Sequence, residues 1–374
     1  MSSGADAGSR GDLAGRTGWH PGIAPGVPVH TLEGVRHAVI LGGTGALGRA
    51  TARRLAAAGW RVDVTGRDPD HMPADVAAAG VHFHSADRRD LTSRAAILGP
   101  GGDLLVDAVC YTGADARQLI PFLSGFASTV MISSKAVYVD CAGRHSNSPT
   151  APRFDGPIRE DGPTVDPAGG DYNTPDGYGA NKVAAERVLL DSGFPVTVIR
   201  PSKVHGEGAL RPREWTFVRR VLDRRPAVFL AHRGEGRDHT TAAVNTAALI
   251  ERVAAAPGRR ILNSADPDAP SALEIARTIA DYLGHTWEEV LLGEDAEPGL
   301  GRHPWDARPP IVLDTTASLA LGYAPVGTYA ETAPGQIDWL VRMARAGQGP
   351  AKDDPFFAQL LDYSAEDRYL AAHR

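Results

Sequence analysis

From about residue 37 onward, short apolar runs alternate with stretches whose hydrophobic positions fall at helical spacing. Val39-Ile40-Leu41 is the first run. It enters a glycine-dense turn, Gly42-Gly43-Thr44-Gly45-Ala46-Leu47-Gly48, and the alanine-rich sequence beyond predicts a helix over Arg49 to Ala58, with Gly59 as its C-cap. Trp60 to Thr65 alternates as a second strand, and Val81 to His84 reads as a third. Asp103 to Val109 predicts a fourth strand and Ser128 to Ser133 a fifth, with a helix over Asp115 to Ser124 between them. This rhythm predicts an α/β fold, a Rossmann-type doubly wound parallel sheet with right-handed crossovers. Any ligand would then sit at the carboxyl edge of the strands.

Residues 139 to 177 break the rhythm, with Pro149, Pro152, Pro157, Pro163, Pro167 and Pro175 set among glycines and acids. A segment of this length is either a wall or lid over a site or a disordered connection. Tyr178 to Leu190 then predicts a helix and Pro195 to Ile199 a sixth strand. After Arg200-Pro201 the alternation loosens. Helices are expected over Trp215 to Arg224, Thr246 to Ala255 and Ala272 to Leu283. The organisation expected is a tail over residues 1–35, a nucleotide-binding domain over 36–201, a smaller substrate-binding lobe over 202–345 with segments returning to the sheet, and an extension over 346–374.

Composition narrows the class. The chain has 374 residues and a formal charge of −6, which leaves no electrostatic footprint for nucleic acid. No apolar run has membrane-spanning length, so neither a membrane nor a nucleic acid is an expected partner. Residues 1 to about 35 are rich in Gly, Ser and Pro and carry no signal-peptide core, so they read as a flexible tail. Two cysteines, Cys110 and Cys141, could form at most one bridge, which points to a reducing, cytoplasmic setting. The histidines show no metal spacing: His82 and His84 share a strand face with no third ligand in view, and no metal is expected.

Two patterns carry candidate chemistry. Strand, glycine turn and helix together form a phosphate-binding context, because bare backbone admits a pyrophosphate and the helix N-terminus offers free N–H groups. The glycines fit both Gly43-x-Gly45-x-x-Gly48 and Gly42-x-x-Gly45-x-x-Gly48. The second pattern is Tyr178-x-x-x-Lys182, which on a helix places phenol and ammonium on one face. With nine tyrosines and four lysines, about 0.1 such match is expected by chance. A cation beside the phenol favours the phenolate, so the tyrosine could exchange a proton with a substrate oxygen as hydride moves. Ser134, at the carboxyl end of the fifth strand, could hydrogen-bond the same oxygen.

Ile132-Ser133-Ser134-Lys135-Ala136-Val137-Tyr138 upstream of this pair, and Arg200-Pro201 with Val204-His205-Gly206 after it, complete a resemblance. The chain resembles the extended short-chain dehydrogenases/reductases, the NAD-dependent epimerase/dehydratase family, over roughly residues 37 to 340. The resemblance implies Ser134, Tyr178 and Lys182 as catalytic residues. It implies a cofactor held by Gly42, Thr44, Gly45, Ala46, Leu47 and Gly48, by Tyr178 and Lys182, and by Asp87, which falls on the family's adenine-contacting aspartate. Asp87 taken alone reads as a loop or N-cap acid. The resemblance also admits a homodimer.

Several positions depart from the family pattern. Lys135 and Ala136 stand where the sugar dehydratases of the family have an Asp-Glu pair, which disfavours dehydration by that route. Asn245 stands where many members have Asp. Arg237, one residue out of register, resembles an arginine that epimerases use on a nucleotide diphosphate. The tip of the second strand bears Thr65, Gly66 and Arg67 rather than a carboxylate. A guanidinium there suits the 2′-phosphate of NADP(H), whereas Asp68 binding an NAD ribose is the alternative.

The expected function is an NADP(H)-dependent oxidoreductase acting on a secondary alcohol or ketone of a small molecule, with NAD as the alternative cofactor. A nucleotide-sugar epimerase working by transient oxidation is the rival enzyme. A non-catalytic NADP-sensing or RNA-binding relative is the rival of another class, and the retained serine, tyrosine and lysine argue against it.

Overall fold

The computed structural model describes residues 34–88, 90–350 and 354–373, so the expected tail falls almost wholly outside the described residues. Seven strands form one sheet: β1 (His37–Leu41), β2 (Arg61–Gly66), β3 (His82–Ser85), β4 (Gly102–Asp107), β5 (Phe126–Ile132), β6 (Val196–Pro201) and β10 (Arg260–Ser264). The remaining strands are β7 (Lys203–His205), β8 (Ala227–Leu230), β9 (Thr240–Ala242) and β11 (Glu288–Leu291). The order across the sheet is β10-β6-β5-β4-β1-β2-β3, and every neighbouring pair is parallel.

Burial follows from that order. Central strands are covered by helices on both faces, so β1, β4 and β5 are apolar on successive residues rather than alternating. Ile40, Val64, Leu104, Val106 and Val130 belong to one core cluster, and Val39, Leu105, Met131 and Val198 belong to another. The edge strand β3 is only half-buried and accordingly reads His-Phe-His-Ser. The first connection runs from β1 outward to β2 and β3, whereas β4, β5 and β6 lie on the other side of β1. The direction of winding therefore reverses between β1 and β4, which opens a crevice at their carboxyl ends.

Two helical expectations are corrected. The helix expected over Asp115 to Ser124 is two short ones, Gly113–Arg117 and Ile120–Leu123. Pro121 sits in the first turn of the second, and its ring and missing N–H would have broken a continuous helix. The helix expected from Tyr178 begins at Pro175, because Thr174 caps Gly177 N–H and a proline is pre-organised for the first helical position. The 139–177 segment is tied down by bridges from Tyr138 to Thr164 and from Ile158 to Leu313.

After β6 the chain builds a lobe around Trp215, Phe217, Ile275, Trp305, Tyr329 and Ile337. It returns to the main sheet as β10 beside β6. The helix Ala243–Ala255 packs on the same side as the first helix, Ala46–Ala57. Residues from 34 to the C-terminal end pack as one compact unit. Among the described residues, no helix is long and apolar enough to cross a membrane.

Candidate active site

The glycine turn lies at the carboxyl end of β1. Gly42 adopts a left-handed φ of 86°, and a Cβ there would stand 2.7 Å from Val109 Cγ1. A Cβ on Gly48 would fall 2.3 Å from the Gly42 carbonyl oxygen, so that glycine lets the helix pack directly on the turn. Gly45 differs. It is exposed, and a Cβ there would meet only the Gly42 oxygen at 3.8 Å. As N-cap of the helix Ala46–Ala57 it supplies no side-chain acceptor to the first N–H groups. An open backbone arc with uncapped donors fits a pyrophosphate. Thr44 gives its carbonyl to Arg49 Nε at 2.6 Å, which fastens the turn to the helix, while Ala46 is buried and Leu47 packs on the core.

Beyond β2, Arg67 is exposed and forms no ion pair within 4.0 Å among the described residues. Neither neighbouring acid takes the strand-tip position. Asp63 is buried and bound to His37 Nε2 and His84 Nε2, each at 2.6 Å. Asp68 accepts from Asp70 N–H at 2.9 Å as cap of a single 3₁₀ turn. Asp87 lies exposed two residues after β3. Its neighbour Arg88 reaches across to β4, with Asp107 oxygens at 3.1 and 3.3 Å and Asp115 at 3.5 Å, and so closes the floor of the crevice.

Ser134 follows β5 and caps a 3₁₀ turn, its Oγ accepting from Ala136 N–H at 3.1 Å. It also bears on the Tyr178 phenol, whose pKa it pulls down. Lys182, one turn further along the tyrosine's helix, is buried, and its Nζ donates to the carbonyls of Cys110 and Ile132, both at 2.8 Å. Tyr178, Ser134 and Lys182 are thereby gathered at the carboxyl ends of β4 and β5. Two residues absent from the sequence reading join them. Tyr111 lies with its ring centroid 4.7 Å from Lys182 Nζ and stacks on Tyr172 at 5.0 Å. Tyr172 comes from the proline-rich segment, which is therefore a wall of the site. No local sequence signal links those two tyrosines.

The electrostatics differ from expectation. Burial raises the Tyr178 pKa above its usual value, opposed by the neighbouring Ser134 hydroxyl and the charge of Arg213. Arg213 is a further cation that bears on the phenol, besides Lys182. The lysine ammonium lies 6.0 Å from the Tyr178 ring centroid, with its protons directed to two carbonyls. Burial lowers the Lys182 pKa, against the pull of Cys110, Tyr111, Asp107 and Glu186. Arg213 precedes the helix Trp215–Leu222, far from Tyr178 in sequence, so the chain order concealed it.

Arg237 is set apart from this centre. Its guanidinium pairs with Glu274 at 3.1 Å and bonds the Ala269 carbonyl, lining a cavity of about 290 Å³ with Asp268, Pro270 and Tyr329. Asn245 is a structural residue that binds Asp266, Val326 and Gly327 through both ends of its amide. Among the described residues, no group of three or more His, Cys, Asp and Glu side chains has the arrangement of a metal site.

Comparison with known proteins agrees with this fold. The model of the NAD dependent epimerase/dehydratase family matches residues 38–243. No protein of curated function matches the chain in sequence. Among solved structures, an epimerase from Methanothermobacter thermautotrophicus superposes with a TM-score of 0.65 at 15% identity, covering 83% of this chain and 94% of that one. UDP-glucose 4-epimerase from Thermotoga maritima gives 0.62 at 15% identity over 82% and 99% of the two chains. dTDP-glucose 4,6-dehydratase from Bacillus anthracis, solved with NAD, gives 0.62 at 13% over 83% and 98%.

Proposed function

Because the chain belongs to the NAD-dependent epimerase/dehydratase family, enzymes of the short-chain dehydrogenase/reductase type, we propose that it is an NADP(H)-dependent oxidoreductase acting on a secondary alcohol or ketone. The observation that carries this reading is the placement of Ser134 and Tyr178 at the carboxyl edge of a parallel sheet, beside a buried Lys182 that is tied to the Cys110 and Ile132 carbonyls. The turn from Gly42 to Gly48 would hold the pyrophosphate, and Lys182 would take the nicotinamide ribose. When bound, the cofactor supplies or accepts the hydride. Ser134 holds the substrate oxygen, and Tyr178 gives a proton to it during reduction or removes one during oxidation. Burial keeps Tyr178 protonated at neutral pH, which suits it to act as the acid in the reductive direction.

Tyr178→Phe tests this. Turnover is expected to fall by about a hundred- to ten-thousand-fold, with NADPH affinity nearly unchanged, because the hydroxyl acts on substrate rather than pyrophosphate. Retention of more than about a tenth of wild-type kcat would remove Tyr178 from the mechanism.

A sugar epimerase that oxidises and re-reduces one carbon is the second reading, favoured by the matching fold of the Thermotoga maritima UDP-glucose 4-epimerase. Stoichiometric consumption of NADPH supports the reductase, and turnover without net consumption supports the epimerase. Dehydration is disfavoured, since Lys135 and Ala136 follow Ser134 and cannot act as a carboxylate pair.

A further inference from the structure

Next to Ser134, three separate segments bring charged side chains together. Lys135 directly follows Ser134, and its side chain is only 7% exposed. Its ammonium is in contact with one oxygen of Asp238, while Lys203 Nζ stands 3.0 Å from the other. Lys203 opens β7, and its N–H is held by the His239 carbonyl at 3.0 Å, which fixes β7 against the segment carrying Asp238. The charge of Arg213 also bears on both lysines and helps lower their pKa values.

One carboxylate therefore serves two buried ammoniums. Buried cations of this kind are costly unless an anion pairs with them. Neither lysine has a task in the proton transfer proposed for Ser134 and Tyr178.

We infer that Lys135 and Lys203 form a seat for an oxyanion of the substrate, a carboxylate or a phosphate carried within a few bonds of the carbon that reacts at Tyr178. Asp238 keeps the two ammoniums in place before the substrate arrives and competes with it for them. The inference deepens the dehydrogenase reading by naming a substrate class, and it rests on that reading for the identity of the reacting carbon. Burial pulls both lysine pKa values well down, each helped by neighbouring cations, and this fits a site short of negative charge.

The test is calorimetric titration of the full-length protein, with and without NADPH, using malonate, inorganic phosphate and neutral malonamide. At least one anion is expected to bind saturably and malonamide is not, and the tighter anion distinguishes carboxylate from phosphate. Lys135→Gln and Lys203→Gln should each weaken the anion about tenfold or more, as expected for losing a charge-assisted hydrogen bond. Asp238→Asn should strengthen it, a gain that misfolding cannot imitate. Arg277→Gln, a surface residue paired with Glu289, serves as the unchanged control. The seat is overturned if neither anion binds, if malonamide binds equally well, or if Asp238→Asn weakens binding. Tyr178→Phe should retain anion binding, so a failure of the catalytic reading and a failure of the seat give different results.

Discussion

At the scale of residues, the protonation of Tyr178 is set by burial against two pulls, one from Ser134 and one from Arg213. A phenol held above its usual pKa donates well across neutral pH and accepts only under alkaline conditions. The reductive rate should therefore stay flat through neutrality and fall at high pH, while the oxidative rate rises over the same range. Arg213→Met removes a downward pull, so both alkaline limbs should move to higher pH; an unchanged pH–rate profile would show that the guanidinium does not act on the phenol. Lys182→Met has a different signature. It strands the Cys110 and Ile132 carbonyls that the ammonium now satisfies, at about 1–3 kcal/mol for an unpaired buried group, and it should also raise the cofactor Kd. Thermal unfolding and cofactor titration on the same variant separate the two effects. Arg67 has no acid competing at the β2 tip, because Asp63 is bound by histidines and Asp68 by its own cap. Arg67→Ala should then lower kcat/KM for NADPH about 10- to 100-fold while sparing NADH. Equal loss with both cofactors would show that this arginine does not read the 2′-phosphate.

At the scale of elements, the glycine turn separates packing from binding. A Cβ on Gly48 strikes backbone atoms at 2.3 and 2.7 Å, so the helix Ala46–Ala57 must shift off the turn. Gly48→Ala should lose cofactor affinity and about 1–3 kcal/mol of stability together. Gly45→Ala meets only an ordinary contact at 3.8 Å, so its Tm should hold while NADPH binding falls. The outer strands carry a second prediction. Burial opposes ionisation of Asp63, but hydrogen bonds from His84 and His37 and the charges of His37 and Arg61 leave its pKa below the usual value. A carboxylate depressed in the folded state stabilises the fold above its unfolded pKa of about 4, and that contribution is lost as pH falls through the folded pKa. Denaturant midpoints measured from neutral to acid pH should fall less steeply for Asp63→Asn than for wild type.

At the scale of the whole molecule, the C-terminal helix Ser364–His373 is locked to the lobe by a buried pair, Glu366 with Arg220 at 2.6 Å, and by Arg225 with Asp367 at 2.5 Å. Tyr369 packs edge-on to Phe229 of β8, so this extension closes the outer side of the lobe. Glu366→Gln leaves Arg220 buried without its counter-charge, at a cost of about 3–5 kcal/mol. The helix should then lose hydrogen-exchange protection before the main sheet does. The proline-rich segment plays the corresponding part at the inner side. Its Tyr172 stacks on Tyr111 above Lys182, and Ile158 N–H bonds the Val312 carbonyl, so one excursion from the first half of the chain joins the site to the lobe.

The sequence by itself determined the parallel sheet, the glycine turn and the helix carrying Tyr178 and Lys182. Each depends on local periodicity and on spacings within a turn or two, and such signals survive without knowledge of distant contacts. Ser134 was legible for the same reason, as a short polar residue where an apolar strand ends. Tertiary structure alone decided that Arg213 also bears on the phenol, because residues 35 positions apart influence each other only once the chain has folded. It decided likewise that Asp63 is turned to His37 and His84, and that Lys135, Lys203 and Asp238 converge. Charge acts through space, and the linear order of residues carries no record of which distant charges folding will bring together.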